Sequence, residues 1–355
     1  MTNAKAAFAA GEYKSAAQDF RMLAESARDP GIRLSWRLWQ ASSYTHLQQF
    51  EKALEILVDA QAESMGKLVA SDPRLVRARS EELIARRQVA PNAELLPELV
   101  EHARFTGTSL GEQHPEAQWV HREILSVALD SGALLTALDS ARILYEVSAE
   151  TGQVCDLSRV QVRHTLGVTV ERCVLAHEPV ADPLRILGQL RDDSVLESGP
   201  DAHEQFVLRE RLAYVREQIV DFDPGSDAVR SHLAERLQLA ADAARSLDET
   251  DRLRVSIDVN LAAAQSRWAD EEQARTSFAE ILTRLSKLWG PEDVDALKVR
   301  RWLAYFDAVD GEWAQAGAEL VAIRRAQARL LGEDHRDVEL TDRMMSEIAD
   351  ISQGL

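Results

Sequence analysis

Helix-breaking residues are scarce in this sequence: 16 glycines and 10 prolines occur in 355 residues. Ala, Leu, Arg, Glu and Gln are abundant, a composition that favours helix almost everywhere. Alternating Val/Ile/Thr runs bounded by turn residues are missing, so no strand is predicted and the expected fold is all-α. Cysteine is confined to Cys155 and Cys173. If one helix carries both, they stand roughly 27 Å apart, beyond disulfide reach. Both then read as buried small apolar residues in a reducing compartment. Met1 to Phe8 has no apolar signal core, and no stretch approaches the ~20 apolar residues of a membrane span. A cytoplasmic protein is expected.

Positive charge is also short. Lys and Arg number 41 against 59 Asp and Glu, a net charge of −18, and only six of the basic residues are Lys. Such a field repels a polyanion, which speaks against a nucleic-acid partner. Two local basic clusters, Arg74/Arg77/Arg79 and Arg324/Arg325/Arg329, are surrounded by acidic residues and read as solvated helix faces. Apolar residues make up 45 % of the chain, enough for a core and against disorder.

What is present is a repeat. A turn residue, any residue, a large apolar residue, two more residues and Ala recur at Gly11–Ala16, Gln48–Ala53, Gly132–Ala137 and Gly311–Ala316, with a weaker copy from Ala269 to Ala274. Ala53 and Ala137 are 84 residues apart, twice 42, and Ala274 and Ala316 are 42 apart. A second marker, Leu-Gly or Trp-Gly before an acidic or polar loop, appears at Leu110-Gly111, Trp289-Gly290 and Leu331-Gly332; the last two glycines are again 42 apart. Gly suits the left-handed residue after a helix, and Pro or acidic side chains suit a first turn. Each period therefore reads as helix, tight turn, helix, with Ala allowing close approach. Such a pair cannot bury its apolar face alone, so neighbouring pairs must stack. Leu54, Leu57, Val58 and Ala60 form one predicted apolar face, and Phe278, Ile281, Leu282 and Leu285 another.

With these markers the sequence resembles the tetratricopeptide repeat (TPR) family, in the ~42-residue, kinesin-light-chain-like subclass common in bacterial signalling proteins. Tyr44, Ala53, Leu57, Ala60 and the Leu166-Gly167 pair stand at signature positions. The stretches from Asp72 to Gly107 and from His177 to Leu247 lack the turn signature and are assigned by period alone. The resemblance implies a right-handed superhelical α-solenoid of helix pairs, roughly 3–28, 31–66, 72–108, 115–150, 155–192, 200–247, 251–288 and 292–330, with a capping helix over about 335–352. The expected division is 1–192, a diverged pair at 193–250, and 251–355, within one continuous solenoid. The acidic loop from Asp192 to Asp201 is the expected hinge, and Asp223-Pro224-Gly225 a turn.

Catalytic constellations are not found: there is no phosphate loop, His-Glu-x-x-His or Gly-x-Ser-x-Gly. His114 and His335 fall in the inter-repeat loop, where the resembled family has a structural His. His46 and His164 lie in first helices with no nucleophile beside them. No enzyme activity, cofactor or metal is expected.

The resemblance instead implies a protein or peptide partner on the face lined by the first helix of each pair, where some family members hold a terminal carboxylate with Asn and Lys/Arg. Those positions fall on Thr2 and Trp39 in the first two pairs, which lack the clamp. Toward the C-terminus they give Asn260, with Arg267 further along, and Lys298; Arg301, Trp302 and Tyr305 adjoin. Asn donates to backbone and Lys/Arg supply countercharge, so an anionic or C-terminal segment with an apolar neighbour is the expected partner. Trp39 is a further candidate contact. Core packing of Trp302, Tyr305, Trp36 and Tyr44, and a solvated Arg301, are the open alternatives. At the level of function the alternatives are a peptide-sensing switch like the TPR regulators of quorum sensing and, last, a helical enzyme.

Overall fold

The computed structural model describes residues 3–90, 94–154, 156–223 and 225–354. Among these the chain forms seventeen helices and one two-residue β-hairpin. It divides into two compact units, 1–183 and 184–355. The first holds α1 (Asn3–Ala9), α2 (Tyr13–Ser26), α3 (Pro30–His46), α4 (Phe50–Ser64), α5 (Pro73–Val89), α6 (Leu96–Leu110), α7 (Pro115–Ser131), α8 (Leu134–Thr151), β1 (Gln153–Val154), β2 (Leu157–Ser158) and α9 (Arg159–Leu175). The second holds nearly all of α10 (Pro183–Ser198), then α11 (His203–Ile219), α12 (Asp227–Ser246), α13 (Arg252–Trp268), α14 (Glu271–Leu288), α15 (Val294–Val309), α16 (Trp313–Leu331) and α17 (Arg336–Gly354). Successive helices pack as neighbours from α1 to α9 and from α11 to α17, the arrangement expected of a helical repeat array.

The turns of four pairs, α1/α2, α3/α4, α7/α8 and α15/α16, have one construction. Gly11, Gly132 and Gly311 take φ of 80°, 76° and 90°, and Gln48 takes the same left-handed conformation at 58° without being glycine. The next residue then donates its N–H five residues back: Glu12 to Ala7, Gln49 to Tyr44, Ala133 to Ala128 and Glu312 to Asp307, at 2.8–2.9 Å. This is the Schellman closure, which satisfies carbonyls left open at a helix end. The α9 terminus closes identically, with His177 at φ 57° and Glu178 donating to Cys173 at 2.9 Å. The motif thus persists where its sequence signature is absent. The Ala of each signature (Ala16, Ala53, Ala137, Ala274 and Ala316) is wholly buried, so no larger side chain fits where the paired helices meet.

The loops between pairs share a second construction. Gly111, Gly290 and Gly332 have φ between 88° and 95°, and the residue three further on donates back to the glycine carbonyl. That residue then caps the next helix. His114 Nδ1 accepts from Glu116 N–H at 3.2 Å, His335 Nδ1 from Asp337 N–H at 3.1 Å, and Asp293 Oδ1 from Asp295 N–H at 3.0 Å. His114 and His335 are therefore N-caps.

Four expectations change. β1 and β2 pair antiparallel, Gln153 with Ser158 and Val154 with Leu157, so the chain is not wholly without strand. Helix α9 starts at Arg159, behind a capping box between Ser158 and Gln161. Cys173, on this helix, is buried, and Cys155 lies outside the described residues. Helix α10 runs through Asp192–Glu197 to Ser198, which removes most of the expected acidic hinge loop. Val58 is exposed, and Leu57 with Ala60 carries the buried face of α4.

Candidate partner-binding face

In the second unit the odd-numbered helices lie side by side. The N-terminal ends of α13 and α15 are joined by Arg252, which reaches Asp293 and Asp295 at 2.8 Å each. Further along, the Arg267 guanidinium of α13 lies 6.0 Å from the Trp302 ring centroid of α15 and 5.9 Å from its neighbour Trp268. Trp302 stacks on buried Phe278 at 5.6 Å with 14° between planes, and Tyr305 meets it edge-on at 6.1 Å. Trp302 is thereby half core, half surface, while Tyr305 and Arg267 are exposed. Arg267 has no carboxylate at ion-pair distance among the described residues; its guanidinium lies near the rings of Trp268 and Trp302. Most arginines elsewhere in the two basic clusters are paired: Arg74 with Asp72, Arg77 with Glu81, Arg79 with Glu82, Arg324 with Asp342 and Arg329 with Glu292.

Lys298 and Arg301 share a different neighbour. Lys298 Nζ lies 3.1 Å from Asp295 and 4.0 Å from Asp337. Arg301 is buried; its Nη1 donates to the Asp337 carbonyl at 3.1 Å and stands 3.6 Å from the Asp337 carboxylate. Burial pulls the Arg301 guanidinium below its usual range, against the pull of Asp337. Both cations are therefore turned toward the first turn of α17.

Asn260 belongs to a third group. Its Nδ2 donates to Glu210 Oε1 at 2.6 Å, and Glu210 is held by fully buried Arg236 at 2.7 Å. Arg236 also contacts Glu217 at 2.7 Å, and Glu217 accepts from or pairs with buried His232 at 2.8 Å. His232 stacks on Phe222 at 5.0 Å and meets Trp268 edge-on at 5.7 Å. Burial opposes the charge of Arg236, but the two carboxylates hold its pKa above the ordinary value, and burial pushes Glu210 upward. This cluster joins α11, α12 and α13; along the chain its members appear only as charged residues scattered in a diverged stretch.

The clamp candidates are thus split. Arg267, Trp302 and Tyr305 form one patch; Lys298 and Arg301 meet α17; Asn260 serves the buried cluster. In the first unit, Trp39 lies 5.1 Å from Phe8 and 5.7 Å from Phe20, with the Lys5 ammonium 5.3 Å from its centroid. It fastens α1 and α2 to α3. His46 stacks flat on Tyr13 at 4.5 Å.

A residue missed by spacing rules is Arg336, the first of α17. Its Nη2 lies 3.2 Å from the Tyr214 hydroxyl of α11, 122 positions away. It too has no carboxylate partner among the described residues, and its charge adds to the pressure on Arg301. A shallow depression of about 330 Å³ between α13 and α14, bounded by Asp258, Gln265, Glu280 and Arg284, contains none of the candidates. No group of three or more metal-ligating side chains is found among the described residues. No described helix is long and apolar enough to cross a membrane.

No family model matches the chain, and no curated protein matches it. Among solved structures it is similar to the Podosopora anserina kinesin light chain nearly identical TPR-like repeats, at 16 % identity and a TM-score of 0.43, over 63 % of this chain and 100 % of that one. A single-substitution variant of the same protein gives 16 % and 0.42, over 62 % and 98 %.

Proposed function

We propose that this chain is a non-catalytic binding scaffold whose partner is a protein or peptide, and that the odd-helix face of the second unit receives an anionic segment with an aromatic or apolar neighbour. The observation that carries it is Arg267, an exposed guanidinium without a carboxylate, set beside Trp302 and Tyr305 in a molecule of net charge −18. A cation unsatisfied by its own protein gains most from an external carboxylate, and exposed aromatic rings beside it supply apolar area. Lys298, about a third exposed, adds a second cation on the same helix as Trp302.

Calorimetric titration with an acetylated peptide ending in Glu-Asp-Phe and a free carboxylate tests this. Wild-type protein binds it, and Arg267→Glu lowers affinity at least roughly tenfold, since a charge-assisted hydrogen bond contributes about 1.5–3 kcal/mol. A peptide with Lys in place of the acidic residues does not bind. If wild type ignores the acidic peptide, or Arg267→Glu leaves its affinity unchanged, the assignment of this face fails.

A further inference from the structure

The hydrogen bond between Tyr214 and Arg336 joins the first and last helices of a row whose intermediate members are α13 and α15. Two helices so placed can touch only if the row curves enough for their side chains to meet in front of the helices between them. Tyr214 and Arg336 therefore stand over the odd-helix face of the second unit. The tie is weak by construction. The phenol oxygen is a neutral acceptor, whereas Arg336 is a full cation, near Arg301 and without a carboxylate of its own. The root of α17 is held differently, by Lys298 and Arg301 on Asp337, by the buried bond from Thr341 to Gln327 at 2.7 Å, and by burial of Val338 and Ile348. α17 is thus firmly held to α15 and α16, and the Arg336 bond ties that end of the row back to α11.

We infer that Tyr214 and Arg336 form a strap across this face, which an entering anionic segment opens by replacing the Tyr214 hydroxyl with its own carboxylate on Arg336; this rests on the anionic partner proposed above. A carboxylate makes roughly twice as strong a hydrogen bond to a guanidinium as a neutral acceptor does, so the exchange favours the ligand. A net bond of ordinary strength leaves the free protein open part of the time, and the ligand shifts that population.

Spin labels at exposed Gln218 on α11 and Glu339 on α17, in a Cys155→Ser, Cys173→Ala background, read the span directly by dipolar spectroscopy. Tyr214→Phe removes the hydroxyl and keeps the ring; without any peptide it should broaden and lengthen the distance distribution. The same variant should bind the Glu-Asp-Phe peptide about two- to fivefold faster, by relieving competition for Arg336. Adding that peptide to wild type should lengthen the distance likewise. A distribution unchanged by Tyr214→Phe overturns the strap. Slower association in the variant also overturns it, by making Tyr214 a ligand contact. If Tyr214→Phe lengthens the distance but neither protein binds the peptide, the strap stands and the anionic partner falls.

Discussion

At the scale of single residues, left-handed turn positions and buried imidazoles have the clearest consequences. Gln48 occupies a conformation that glycine adopts without steric cost and that side chains with a Cβ resist. Gln48→Gly should stabilise the protein by about 0.5–1 kcal/mol, less the entropy glycine regains in the unfolded chain, while Gly311→Ala should cost about 1 kcal/mol. Paired denaturation midpoints check both signs. His102 is buried against Ser80, its Nε2 2.9 Å from the hydroxyl, and burial pushes its pKa down to about 4. Above the unfolded value near 6.5 both states are neutral and pH is without effect. Between 6.5 and 4 the unfolded chain takes up a proton that the native chain refuses, so stability falls as pH falls through that window. The loss approaches roughly 3 kcal/mol at the lower end, from ~1.4 kcal/mol per pH unit. Urea unfolding at pH 7 and pH 5 should show it, and His102→Gln should flatten that part of the profile.

Elements divide into those held by small residues and those held by polar networks. Where the code of a turn residue, any residue, a large residue, two more and Ala is present, buried Ala lets paired helices touch, as at α3/α4 and α15/α16. The two stretches without the code add ion-pair networks to their apolar cores. Around α5 and α6, Glu98 binds both Arg79 and Arg86 at 2.7 Å, and Arg79 also binds Glu82. Around α11 to α13 the Arg236 cluster does the same from full burial. Removing one partner of such a cluster strands the rest, so Arg236→Met should cost about 3–5 kcal/mol. Adding Glu210→Gln and Glu217→Gln to Arg236→Met should recover a large part of it, because no carboxylate is then left buried without its cation. Denaturant unfolding of the single and triple variants decides this; a triple variant less stable than Arg236→Met would place the stabilisation elsewhere. Glu210, Glu217 and Arg236 look like surface charges in a linear sequence, since nothing local shows that three helices converge on them.

For the whole molecule, the net charge of −18 works against the proposed partner at long range. The field repels an acidic peptide until it reaches Arg267, so screening should accelerate encounter, the reverse of ordinary electrostatic steering. Raising salt from about 0.01 to 0.15 M shortens the Debye length from ~30 to ~8 Å; the association rate should rise over that range, and so should the dissociation rate as local contacts weaken. Stopped-flow mixing at several salt concentrations measures both, and an association rate that falls with salt would indicate a locally dominant positive field.

The chain pattern by itself determined the helical class, the period and both loop constructions, because these depend on local chemistry. Glycine takes positive φ, alanine permits close approach, and His or Asp three residues after the loop glycine caps the next helix. Short-range preference also left errors where it was weakest: the pairing of β1 with β2, and α10 continuing through an acidic run read as a hinge. Tertiary structure alone decided which charges are spent internally. Asn260 could be placed on its helix by spacing, but its bond to Glu210 depends on a helix 50 residues earlier. Arg267 remained without a carboxylate, Lys298 and Arg301 were drawn to Asp337, and Arg336 found Tyr214. The availability of a charged side chain is set by what other helices bring within a few ångströms of it, and helix periodicity carries no information about that.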